Sequence, residues 1–143
     1  MPLVERLIVT IATALLLTAA APADTPPPKN AILLFVASWC APCHGELRML
    51  GSIGRQAAPM RVIVVPIDAR RGTEAMIARV PENQLLRLEP RAATAMMRRL
   101  SGGAPGLPTA VAIDRAGRVC GVERRSLVPE RARALRLGCL AQP

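Results

Sequence analysis

Ala31-Ile32-Leu33-Leu34-Phe35-Val36-Ala37-Ser38-Trp39-Cys40-Ala41-Pro42-Cys43 carries the strongest signal in the chain. Its first seven residues are uninterruptedly apolar, the pattern of a central strand covered on both faces. Ser38 to Pro42 breaks that run, and a helical pattern follows from about Pro42 to Ala57, proline being tolerated in a first turn. Two cysteines separated by two residues therefore fall where a buried strand turns into a helix, which is a redox arrangement. A single helical turn brings their sulfurs within bonding reach, so a disulfide can open and close without refolding. Cys40 lies at the helix N-terminus, where unpaired N–H groups and the dipole stabilise a thiolate. It reads as the attacking sulfur, and Cys43, one turn in, as the resolving one.

Working outward, Met60 to Ile67 is a second buried strand and Thr73 to Val80 a short helix. Glu89 to Leu100 is an amphipathic helix, with Met96-Met97 as core. Thr109 to Asp114 and Val119 to Glu123 form a hairpin about the turn Arg115-Ala116-Gly117-Arg118. Pro129 to Leu140 is a terminal helix, with Leu135 and Leu137 as its core positions. Strands and helices in this order make an α/β layer arrangement.

The 143 residues fit one domain, residues 31–143 here, with one ordinary core. A hydrophobic share of 51% against 20% charged excludes overall disorder. Only one apolar stretch approaches spanning length, which excludes a multi-pass membrane protein. The net charge of +9 comes from scattered arginines, and one Phe, one Trp and no Tyr leave little to stack bases on. No nucleic-acid partner is expected.

At the start, Met1 to Arg6 precedes an apolar run from Leu7 to Ala21 and then Ala21-Pro22-Ala23. That is the charged, apolar, small-residue order of a secretory signal with an A-x-A cleavage site. Residues 1–23 are therefore read as a signal peptide or an uncleaved signal anchor. Residues 24–30, with Pro26-Pro27-Pro28, form a stiff spacer. Either reading places the domain outside the cytoplasm, exported to the periplasm, soluble or N-terminally anchored.

Over nearly all of Ala31 to Leu140 the sequence resembles the thioredoxin superfamily. The resemblance rests on the apolar strand into Trp39-Cys40-Ala41-Pro42-Cys43, followed about 65 residues later by Gly106-Leu107-Pro108-Thr109. It implies a thioredoxin fold, with a central mixed four-stranded sheet and helices on both faces. It also implies a cis Pro108 beside the cysteines, with Trp39, Leu107 and Thr109 meeting the substrate. Leu107-Pro108-Thr109 and Ile113-Asp114-Arg115-Ala116-Gly117-Arg118 are most similar to the exported TlpA-like and cytochrome-c-maturation proteins, whose Glu three residues past the second cysteine matches Glu46. Glu46 neighbours Cys43 by the i, i+3 rule. A partly desolvated carboxylate there would move protons for the resolving thiol; an ordinary helix-surface glutamate is the other reading. The resemblance implies protein thiol and disulfide substrates, no cofactor, and a thiol–disulfide oxidoreductase, most simply a reductase. A reductase in an oxidising compartment needs a membrane-embedded thiol donor. Two departures stand out: Leu34 stands where thioredoxin itself has a buried acid, and Arg48 stands where the family often has a helix-kinking proline, which predicts a straighter active-site helix.

Other readings of the same residues exist. Cys40-Ala41-Pro42-Cys43-His44 satisfies C-x-x-C-H, the attachment motif of a c-type haem electron carrier, with Met60, Met76, Met96 or Met97 opposite His44. Against it, the motif follows a buried strand, and aromatics to pack a porphyrin are scarce. Cys40, Cys43 and His44 also suggest copper or zinc delivery, although His44 is the only histidine and no metal is expected. His44 reads equally as a tuner of the Cys40 thiolate or as a solvent-facing residue. Cys120 and Cys139 sit at strand and helix ends that packing would bring together, so a structural disulfide is expected. Two separate buried thiols, or a relay to the first pair, are the alternatives.

Overall fold

The computed structural model describes residues 25–103 and 106–142. The proposed leader and the first spacer residue, Asp24, lie outside them. Among the described residues no helix is long and apolar enough to cross a membrane.

Four strands, β1 (Ala31–Val36), β2 (Arg61–Pro66), β3 (Thr109–Ile113) and β4 (Val119–Glu123), form one sheet in the order β2-β1-β3-β4. β1 runs parallel to β2 and antiparallel to β3, and β3 pairs antiparallel with β4. The helices are α1 (Ala41–Arg48), α2 (Leu50–Ala57), α3 (Arg71–Ile77), α4 (Pro90–Leu100) and α5 (Pro129–Leu140). The mixed thioredoxin-like sheet implied by the resemblance is present. A 3-10 turn at Glu82–Gln84 and a parallel bridge from Leu85 to Val64 were not foreseen.

Strand alternation sorts the apolar residues into two cores. Ile32, Leu34, Val36, Val62, Val64, Ala110 and Ala112 face Leu50, Ile53, Ile77, Leu127 and Ala132. Leu33, Phe35, Ile63, Val65, Val111 and Ile113 face Ala93, Met96 and Met97 of α4. Hence α4 covers one face, and α2, α3 and α5 the other. The continuous apolar run of β1 follows from this, because a strand in the middle layer of a helix–sheet–helix sandwich has no solvent side.

Two expectations are corrected. The active-site helix is not straightened by the loss of its proline. It breaks at Met49 (φ −97°, ψ 6°), whose N–H is shared between the Gly45, Glu46 and Leu47 carbonyls. The two halves bury different things, Cys43 and Glu46 from α1 but Leu50, Ile53 and Ala57 from α2, so tertiary packing sets the break. Leu137 is 48% exposed and not core. Positions two apart on a helix lie about 200° apart, and the inward face of α5 is Ala132, Leu135 and Cys139.

Candidate active site

Ala37 ends the β1 run, and its carbonyl accepts the Cys40 N–H at 3.0 Å, turning the chain into α1. Cys40 is the N-cap of that helix, and its sulfur accepts the Cys43 N–H at 3.3 Å. A thiolate in that place would take the same bond and the positive end of the helix dipole. Cys40 and Cys43 are joined as a disulfide, with Cα atoms 5.3 Å apart. Cys43 is fully buried and Cys40 keeps 4% of its surface, so the outer sulfur is Cys40. The Cys43 sulfur lies 3.9 Å from the Phe35 carbonyl, an acceptor for its S–H after reduction.

Trp39 stands 54% exposed beside the pair, and its indole N–H donates to Asp68 Oδ2 at 3.0 Å. Burial pushes the Asp68 carboxyl up, but bonds from Thr73, the Arg70 amide and Trp39, with the Arg70 charge, outweigh it and hold it below the usual range. Behind Trp39, the Ser38 N–H donates to Thr73 Oγ1 at 2.9 Å, and the Ser38 carbonyl meets His44 Nε2 at 2.8 Å. His44 is half-buried, and its ring is held on the Ser38 turn. Gly72 comes so close that a Cβ there would lie 2.8 Å from Ser38 Oγ.

The pairing of Phe35 with Thr109 brings the chain before β3 to the end of the sheet where α1 begins. The Leu107–Pro108 peptide bond there is cis, and so is Ala58–Pro59. Gly106, at φ 121°, supplies a backbone conformation that side-chain-bearing residues resist. The Thr109 side chain points into the fold. It is buried, and its hydroxyl donates to the Gly106 carbonyl at 2.8 Å, closing the loop from within.

Glu46, one turn beyond Cys43, is completely buried, so it is not a helix-surface glutamate. Its Oε1 accepts the Leu127 N–H at 2.6 Å, and Oε2 has no partner among the described residues. Burial pushes its pKa from 4.5 up to about 7, against the lowering effect of the Leu127 bond. Nothing in the sequence pointed to this partner, because a backbone amide carries no side-chain signal. Asp68, Thr73 and Gly72 were also missed; an Asp just past a strand that ends level with Val36 was the available hint.

Cys120 and Cys139 are bonded, with Cα atoms 5.0 Å apart, and tie β4 to α5. Between the Ala112–Gly121 and Ile113–Val119 pairs, Cys120 is the extra residue of a bulge.

A dithiol/disulfide at the mouth of a helix, on a four-stranded mixed sheet and beside a proline loop, defines a thioredoxin-fold thiol–disulfide exchange centre. No protein-family model and no curated protein matches the chain. Solved structures do. A protein from Chlorobium tepidum assigned as a thiol:disulfide interchange protein DsbE is 31% identical, covering 78% of this chain and 77% of its own, with a TM-score of 0.55. A thioredoxin-family thiol:disulfide interchange protein from Chlorobium tepidum TLS is 22% identical over 79% and 82%, at a TM-score of 0.58. A secreted Mycobacterium tuberculosis disulfide oxidoreductase homologous to Escherichia coli DsbE is 16% identical over 76% and 82%, at 0.54. The chain belongs to the DsbE-like thiol:disulfide oxidoreductases of the thioredoxin family.

Proposed function

We propose that the protein is an exported reductase of disulfides in other exported proteins, recharged by a membrane-embedded thiol donor. The observation that carries this reading is the sulfur of Cys40, the outer member of the pair, capping α1 and accepting the Cys43 N–H. In the reduced protein the Cys40 thiolate attacks one sulfur of a substrate disulfide, and the other substrate sulfur leaves as a thiolate. Cys43 then gives up its proton, and its thiolate attacks the Cys40 sulfur. The second substrate thiol departs, and the protein keeps the Cys40–Cys43 disulfide. Two electrons pass to the substrate, whose two sulfurs end as thiols. Glu46 is the acceptor for the Cys43 proton: its buried carboxylate has a pKa of about 7, and a second oxygen free of other partners supports that role.

Trp39 covers the pair, while Leu107 and Pro108 present backbone to an extended substrate segment and Thr109 holds their loop. The leader pattern and the secreted Mycobacterium tuberculosis relative support export. So does a second disulfide, which suits an oxidising compartment. The DsbE-like relationship supports the reducing direction, with apocytochrome disulfides among the candidate substrates. The test of direction is the midpoint potential of the Cys40–Cys43 couple, followed by the fluorescence of Trp39, the only indole. A reductase places it nearer the roughly −270 mV of reducing dithiols than the roughly −120 mV of strong oxidants. A value at the oxidising end reverses the assignment. Loss of insulin-disulfide reduction in Cys40→Ser tests the nucleophile.

A further inference from the structure

A trough of about 630 Å³ opens against the flank of α1 at His44, the residue after Cys43. It shares Leu50, Gly51, Pro81 and Gln84 with a second hollow of about 550 Å³, lined also by Gly54 and Arg61, so the two adjoin as one channel. Its walls carry Leu47, Leu50 and Met76. Along α2 the wall is bare: a Cβ on Gly54 would meet nothing within 4 Å, and one on Gly51 only the tip of Arg55. Three exposed cations, Arg48, Arg61 and Arg79, line the channel, and no Asp or Glu does. None of the three is in an ion pair among the described residues, so each guanidinium is open to a carboxylate from outside.

We propose that this channel is a docking site for an acidic, apolar-flanked segment of the protein with which Cys40–Cys43 exchanges its disulfide. Apolar walls want buried side chains, and three unpaired cations without an opposing acid want carboxylates. A segment offering both satisfies the channel and is steered to it. Position supplies the functional link, because a chain lying in the channel emerges next to the helix that carries both cysteines. The inference rests on the thiol-exchange reading and adds a partner chemistry to it.

The test uses pre-reduced protein in single turnover. Its probes are three synthetic peptides that share one cysteine core, capped as a mixed disulfide with 2-mercaptoethanol. Each bears a five-residue tail in which leucines alternate with Glu, Gln or Lys. At low ionic strength the Glu tail is expected to react about tenfold faster than the Lys tail, with Gln between, and the gap closes near 0.5 M salt. Arg48→Glu/Arg79→Glu abolishes the preference, and Arg48→Lys/Arg79→Lys keeps it. Gly54→Phe, which fills the channel without changing charge, slows the Glu tail selectively. Arg91→Glu/Arg98→Glu on α4, across the sheet, changes net charge equally and leaves the preference in place.

Equal rates for the three tails overturn the proposal. So does an equal loss of preference in the α4 pair, which would make net charge the cause. Vesicles of phosphatidylcholine and phosphatidylglycerol that bind the protein only through Arg48 and Arg79, with tail preference untouched, would assign the channel to lipid and overturn it too. Failure to exchange even the Gln-tail peptide would instead bring down the thiol-exchange reading, and the docking site with it.

Discussion

Glu46 is a carboxyl group sealed from water one helical turn past the inner cysteine, titrating near pH 7. Its raised pKa means that the folded protein holds a proton that the unfolded chain releases between pH 4.5 and about 7. Stability is therefore full below pH 4.5 with respect to this group and falls as pH rises through 7, by about 3 kcal/mol at most. Urea melts from pH 4.5 to 8 check the slope, and Glu46→Gln, which can still accept the Leu127 N–H, should flatten it. In catalysis, Glu46→Gln should slow release of the mixed disulfide about tenfold or more at pH 7, and remove the inflection near pH 7 from the pH–rate profile. The sequence placed Glu46 beside Cys43 by helical spacing alone. It left burial open because the covering amide, Leu127, stands 81 residues away.

Between elements, α3 serves the site through its contact with the Ser38 turn, and Gly72 is where the two nearly touch. Gly72→Ala gains helix propensity but drives a methyl to 2.8 Å from Ser38 Oγ and 3.0 Å from Ser38 Cβ. The expected net loss is about 1–2 kcal/mol, read as a lower melting temperature, together with slower exchange as Trp39 and Cys40 shift. The β4–α5 disulfide is a separate matter. Cys139→Ser should cost about 3 kcal/mol and lower the melting temperature by about 10 °C, while insulin reduction persists. A loss of activity without loss of stability would instead make that pair part of the redox path. Elements with a strong local pattern were legible. Val119–Glu123 and Pro129–Leu140 coincide with their expected spans, the first bounded by a Gly117 turn at φ 90°, the second opened by Pro129. The Met49 break and the 3-10 turn were not, since both arise from what the helices pack on rather than from local propensity.

For the molecule as a whole, the architecture followed from a few features: an apolar strand feeding two cysteines, and a proline loop returning to the same end of the sheet. The parts that position the chemistry did not, because Asp68, Thr73 and the Leu127 amide reach the site only through tertiary folding. Exchange by this molecule depends on Cys40 being the sulfur that joins to another protein. Cys43→Ser removes the resolving thiol, so an adduct once formed has no internal exit. Mixing that variant with insulin, and mapping the product by mass spectrometry after digestion, tests the dependence directly. The predicted result is one thiol-reducible mixed disulfide at Cys40. No adduct, or one at Cys120 or Cys139, would contradict it.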